Sequence, residues 1–364
     1  MASVNVSTDQ SRHKYLKEWA GTGLRYLVPV AVTAALVVWI LHKVDFHEVV
    51  RIVRQGCDFE WIFMMMGVLM LSRIVRGIRW GIQLRAAGVP RMPVTAECVS
   101  IFGAYALDLL FPWLGEAWRC VYVTKRENVR LSTVVGTDMG DRGSDAVAIL
   151  IIAAVAMLVS GPAIEKFMSH YAVGKDMVDI TENPWLWISL CVLAAIFWAG
   201  FHFFHNYKYI RKIEGSVRNA WKGFDVLFTM KGRWTFVWLT VLIWIFYFLQ
   251  TYLCLYAFPF TRQLVTEPGM AWGLVPGLTV FVFGSFSIAV PSNGGLGPWN
   301  LAVMFALSLY GVSDAESAAY SLVVWSFQTI MIVALGIFSA IYVTYTSRNK
   351  GSLRKSISYP SGKS

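Results

Sequence analysis

Seven ionisable residues crowd into an otherwise apolar part of this chain. Asp138, Asp141, Arg142 and Asp145 fall at i, i+3, i+4 and i+7, one stripe of a helix. Gly136, Gly140 and Gly143 are interleaved with them and let neighbouring helices approach closely. Just upstream, Asp108, Glu116 and Arg119 flank a break running from Pro112 to Gly115. Five acids against two bases leave three negative charges in excess if all are ionised. Ionisable groups in apolar spans are costly, and they face either a cavity or a partner. Two readings follow: a salt-bridge network that pins the broken segment to the helix, or a polar cavity for a headgroup or coupling cation. Seven ionisable groups exceed what pinning alone requires.

Arg73, Arg76 and Arg79, at i, i+3 and i+6, close an earlier apolar run. They read as an anchor that snorkels to lipid phosphates, or as a phosphate-gathering rim for a lipid substrate. A second break, Val290-Pro-Ser-Asn-Gly-Gly-Leu-Gly-Pro-Trp299, is almost uncharged. Ser292, Asn293 and Asn300, with Gly294, Gly295 and Gly297, supply hydroxyl, amide and backbone groups there. Unwound backbone at membrane depth is tolerated only where protein or a water-filled cavity satisfies it. These thirteen residues around the two breaks are the candidate substrate-binding set, with the three arginines as its rim. Gln250 and Gln328 read as helix–helix hydrogen-bonding groups. His202 and His205 lack a third ligand, so no metal is expected, and no cofactor either. The five cysteines, at 57, 98, 120, 191 and 254, have no metal or redox spacing and read as small apolar fillers. No GxSxG, HExxH or Walker pattern occurs, so the expectation is a protein that is not an enzyme.

The elements that must position these residues follow from composition. The chain has 364 residues, 56% hydrophobic and only 15% charged, with a mean hydropathy of +0.54. Soluble domains carry about 25% charged residues. The chain therefore reads as an integral membrane protein. Its net charge of +10 sits in loops and tails beside apolar runs. That placement indicates topology and anionic-lipid contact, not nucleic-acid binding. The polar segment 1–23 has no cleavage site after it and is not expected to be a signal peptide.

A span takes about 20 apolar residues. Full spans are expected at 24–41, 61–80, 132–160, 185–205, 234–258 and 317–346. Regions 94–123 and 271–310 carry the two breaks, and each half is marginal for a crossing. Four Lys and Arg up to Arg25, seven in 207–233 and five in the tail place those segments in the cytoplasm. Parity then makes region 94–123 begin and end inside, and region 271–310 begin and end outside. Parity alone does not separate a re-entrant hairpin from two full spans; the short halves favour re-entry. The expected fold is thus all-α and polytopic, about six full spans plus two broken hairpins in an inverted-topology repeat. Its parts are a cytoplasmic segment 1–23, a first repeat 24–160, an extracytoplasmic loop 161–184, a second repeat 185–346 and a cytoplasmic tail 347–364. Within the second repeat, 209–231 reads as an amphipathic helix on the cytoplasmic interface. The two breaks resemble each other locally, Leu110-Phe-Pro112-Trp-Leu-Gly115 beside Ala289-Val-Pro291-Ser-Asn-Gly294.

Pro112-x-x-Gly115-Glu116-x-x-Arg119, Asp141-Arg142-x-x-Asp145 and Pro291-Ser-Asn-Gly-Gly-Leu-Gly297 together resemble the lysylphosphatidylglycerol synthase transmembrane region. This flippase-like family includes the membrane half of the multiple peptide resistance factor. Arg79-Trp80 fits as well, and the resemblance runs from about residue 24 to 346. It implies a stand-alone lipid-flippase-like protein, with the aminoacyltransferase half, and so lysyl transfer, expected to be absent. The chain has Asp141-Arg142 where the family usually has Glu-Arg. It has Gly297-Pro-Trp299-Asn300 where the family often has Gly-x-Arg-Glu, which puts a cationic aminoacyl lipid substrate in doubt.

The reading is a multi-pass protein of the cytoplasmic membrane, both termini inside, that binds and translocates an amphiphilic lipid between leaflets. Membrane lipids are the expected partners; a homo-oligomer and a separate lipid-modifying enzyme stay open. The rivals are a secondary transporter using the carboxylates for proton or sodium coupling, and an accessory to lipid-linked glycan synthesis.

Overall fold

The computed structural model describes residues 46–170, 230–287, 290 and 292–357. The expected spans at 24–41 and 185–205 and nearly all of the amphipathic segment 209–231 lie outside the described residues. The described residues are helical, with no strand among them. In chain order the α-helices are α1 (Phe46–Gly56), α2 (Phe59–Ala86), α3 (Val94–Asp108), α4 (Leu114–Glu127) and α5 (Leu131–His170). Then follow α6 (Arg233–Leu255), α7 (Pro259–Thr266), α8 (Leu274–Ser287), α9 (Pro298–Ser308) and α10 (Asp314–Ile357). A 3-10 turn at Pro268–Gly273 leads into α8. Among the described residues four segments are long and apolar enough to cross a membrane: Phe59–Ala86, Arg233–Leu255, Pro268–Ser287 and Asp314–Thr346. Ile330, Val333, Ile337 and Ile341 recur at helical spacing on α10 and are 43–64% exposed, an apolar stripe suited to lipid.

The order helix, broken hairpin, helix occurs twice: α2, α3/α4, α5 and then α6, α8/α9, α10. Both regions expected to break do so. The first lies between Asp108 and Leu114; in the second, the described residues between α8 and α9 include a 3-10 turn at Asn293–Gly295. Two short helices depart from expectation. The 42–60 and 259–270 segments, which fall between the expected spans, contain α1 and α7. Neither has enough apolar length to show in a span-sized window. α1 buries Val49 against Met304, Ala318 and Ala319 of α9 and α10. Arg262 of α7 meets Asp58, the N-cap of α2, 2.9 Å apart. In the connection between α1 and α2, burial pushes the Cys57 thiol up to about 11, and Asp58 adds to the shift. That thiol stays protonated and unreactive at neutral pH, as a packing residue should.

Glycines set how closely the hairpin arms approach. A Cβ on Gly115 would lie 2.0 Å from the Ala104 carbonyl oxygen, so α4 meets the α3 backbone only because that atom is missing. A Cβ on Gly77 would likewise lie 2.9 Å from Cys98 Cα, bringing α2 against α3. On the other side of α3, Ser339 of α10 donates to the Val99 carbonyl at 2.8 Å. The first hairpin is therefore clamped between α2 and α10.

Gly115→Ala should force the hairpin arms apart and lower stability by about 1–3 kcal/mol. Gly67, where a Cβ would meet nothing within 4 Å, is the matched control. Thermal unfolding in detergent should drop for Gly115→Ala and stay unchanged for Gly67→Ala. Equal melting of the two variants would refute the close-approach account.

Candidate functional site

The site begins with two helical stripes of opposite charge. α2 presents Arg73, Arg76 and Arg79 at three-residue steps, and α5 presents Asp138, Asp141 and Asp145. The two stripes meet. Arg76 reaches Asp145 at 2.5 Å and Asp141 at 3.1 Å. Arg79 reaches Asp141 at 2.5 Å and Asp145 at 2.8 Å. From α4, Arg119 pairs with Asp138 and reaches Asp141 at 3.4 Å. Asp141 thus serves three guanidinium groups, and both it and Arg79 are fully buried.

Three arginines and three aspartates balance. That balance decides whether the cluster can exist. An ion moved out of water costs several kcal/mol, and attraction offsets this only with good geometry and satisfied hydrogen bonds. Both carboxylate oxygens of Asp141 and of Asp145 accept from arginine. Two further guanidinium donors turn to α6: Arg79 gives to Thr240 at 3.1 Å, and Arg76 to Tyr247 at 3.2 Å, while Arg79 Nε has no hydrogen-bond partner. Arg119 stacks on the Trp80 ring, 4.4 Å from its centroid. One cluster therefore joins α2, α4, α5 and α6.

The candidate residues do not all converge there. Arg142 points away from the cluster, about half exposed, and pairs with Glu116 on α4. Asp108 accepts from the backbone N–H of Gly115 at 2.8 Å and so staples the first break. Arg76 and Arg79, read from the sequence as a phosphate rim, are buried and committed to aspartates. The reason is length. α2 continues to Ala86 instead of ending near residue 80, so the arginines lie inside the helix and not at its end.

The second break sits against the first. Asn293 donates to the Leu110 carbonyl at 3.2 Å. Gly294 has φ +61°, and a Cβ on it would fall 2.5 Å from the Leu109 side chain. Its carbonyl accepts from the Trp325 indole of α10 at 2.9 Å. Gly295 and Gly297 also take positive φ, +78° and +91°, a conformation that glycine adopts without cost. Ser292 is extended and half-buried. Asn300 is fully buried; its side-chain oxygen accepts from the Gly297 N–H at 3.1 Å, while its Nδ2 has no hydrogen-bond partner. At the first tip Trp113 has φ +73° with its side chain 77% exposed. A bulky residue held there stores backbone strain.

The sequence reading missed Tyr105, Tyr247, Thr240, Trp113 and Trp325. Only Trp113 carried a signal, its place inside the Pro-x-x-Gly break. Gln250, read as a helix–helix group, bonds the Phe246 carbonyl at 3.0 Å and reaches Ser72 of α2 at 3.5 Å. Among the described residues no group of three or more His, Cys, Asp or Glu is placed to hold a metal ion.

A family model, that of the lysylphosphatidylglycerol synthase TM region, matches residues 26–336. No curated protein and no solved structure matches the chain.

Removing Asp141 leaves three buried guanidinium groups to share two carboxylates. Asp141→Ala should cost about 3–5 kcal/mol and sharply reduce the monodisperse yield from detergent. Arg51→Ala, which breaks only an exposed pair with Glu48, should leave the yield within error. Comparable yields of both variants would mean the cluster does not hold the helices together.

Proposed function

The chain belongs to the lysylphosphatidylglycerol synthase transmembrane-region family, and from that premise we propose that it binds an amphiphilic lipid and moves its headgroup between leaflets. The observation that carries this reading is the contact of the two breaks, Asn293 on Leu110 and Gly294 on Leu109. Two hairpins whose unwound tips touch form a natural barrier between two half-paths. A polar headgroup cannot enter hydrocarbon unaided, because lost hydrogen bonds to water must be replaced. Polar groups at the tips, the backbone together with Asn293, Asn300 and Asp108, offer replacements, while the acyl tails stay in lipid. Parting the tips on one side and then the other gives alternating access, as in carriers built from inverted repeats. The Lys and Arg distribution puts both termini in the cytoplasm under this scheme.

The reading as a cation-coupled solute carrier is weaker. Asp141 and Asp145 are occupied by Arg76 and Arg79, which leaves them poorly placed to exchange a proton or sodium during a cycle.

The test is reversible locking. With the native cysteines replaced, Leu110→Cys and Asn293→Cys are joined by a short reducible thiol cross-linker. In proteoliposomes the locked protein should slow leaflet exchange of labelled phospholipid at least tenfold, and reductant should restore it. Exchange that continues unchanged in the locked protein would remove the hairpin junction from the path. Absence of exchange in the unlocked protein, with proton-driven solute uptake present, would favour the carrier reading.

A further inference from the structure

Five acids flank the first break and line α5, and four of them face an arginine. Asp138, Asp141 and Asp145 pair with Arg119, Arg76 and Arg79, and Glu116 pairs with Arg142. Asp108 is the exception: among the described residues it has no ion pair. Its Oδ1 accepts the Gly115 N–H at 2.8 Å, and its side chain makes no other hydrogen bond there. Its Oδ2 lies over the Gly115 Cα, where an added Cβ would come within 2.7 Å of it. Asp108 is also the last residue of α3, at the negative end of that helix's dipole. One backbone donor at the start of α4 therefore holds a partly buried negative charge. The other charged groups around it act only at longer range. Arg119 on α4 and Arg142 on α5 attract it through space, and Asp138 on α5 repels it. Arg73 of α2 and Tyr247 of α6 meet at the Tyr105 ring, one turn back along α3. α10 brings Gly336 against Ala106, and the second break brings the neutral Asn293.

We infer that Asp108 is a proton-binding site of the translocation path, and that taking a proton releases the first hairpin from the second. The inference rests on the lipid-translocating reading above and adds what controls it. A proton from the water of one half-path adds to Oδ2; no covalent bond breaks, and the carboxylate becomes a neutral carboxylic acid. This removes the one charge at the break that no arginine balances. The Gly115 N–H then faces an uncharged acceptor, and hydrogen bonds to ionised groups are roughly twice as strong as neutral ones. The tie across the break weakens. Leu109 and Leu110 follow Asp108 directly, and they are the residues on which Gly294 and Asn293 sit. A weaker tie lets them leave the second tip, and loss of the proton to water restores both the charge and the staple. The paired aspartates are unsuited to this, because protonating one leaves a buried guanidinium short of its counter-charge.

The experiment uses the purified full chain in phosphatidylglycerol proteoliposomes. Infrared difference spectra between neutral and acid pH read the carboxyl groups directly, and leaflet exchange of labelled phospholipid is followed over the same range. Wild-type exchange should rise about fivefold as pH falls, along the titration of one group. Asp108→Asn keeps an oxygen for the Gly115 N–H but cannot titrate. It should lose one carboxylic acid carbonyl component from the spectrum and show a flat pH response, whatever its rate at neutral pH. Asp108→Glu restores a carboxyl group and should recover a pH response, which a merely structural cap would not require. Identical spectra of wild type and Asp108→Asn, or a pH response that persists in Asp108→Asn, overturn the proton site even if exchange continues. Wild-type exchange that does not change with pH overturns it as well. A carbonyl component that depends on Asp108, with no exchange at any pH, keeps the proton site and removes translocation.

Discussion

A charge in hydrocarbon has to find its opposite. Everything else in this molecule is arranged around that constraint. α2 brings Arg76 and Arg79 into a helix long and apolar enough to cross a membrane. α5 brings three aspartates at matching spacing, and α4 adds Arg119. Each charge alone would be expelled or neutralised; together they are balanced and buried. The helices that carry them have no freedom to slide, because a one-turn shift would leave a carboxylate facing an apolar side chain.

That fixed cluster gives the first hairpin its anchor. α4 is held to α5 through Arg119 and through the outer Arg142–Glu116 pair. α3 is held by close backbone approach at Gly77 and Gly115 and by Ser339 of α10. The connection between α3 and α4 is stapled by Asp108 on the Gly115 N–H and carries the strained Trp113. It is also where the second break docks. The arrangement places the ion pairs in the charged cluster and a few neutral hydrogen bonds at the junction of the two hairpins. This suits a protein that must open one contact without unfolding.

Much of this was legible in the residues. The aspartate stripe of α5 was visible from its i, i+3, i+7 spacing, and both breaks were visible from Pro and Gly inside apolar runs. The family was legible from three short motifs in order. The arginine stripe was visible but misplaced in depth. Its own charges lower the local hydropathy, so the apolar run looks finished at residue 80 while the helix continues to Ala86. Hydropathy measures each helix alone, and here the partner sits on another helix more than sixty residues away. The same limit hid Tyr247 and Thr240, which are unremarkable in an apolar run until α2 is packed beside them. α1 and α7 were missed because short helices bearing charge resemble loops in any span-sized window.

The central claim is that Arg79 and Asp141 stabilise the fold only as a pair. A double-mutant cycle with Arg79→Leu, Asp141→Leu and the double variant, read by thermal unfolding in detergent, measures this directly. The account predicts that each single variant is strongly destabilised and that the double variant is no worse than the poorer single, a coupling of about 3 kcal/mol or more. Additive losses in the double variant would contradict it, because the two side chains would then contribute independently and the charge balance would not be what holds α2 to α5.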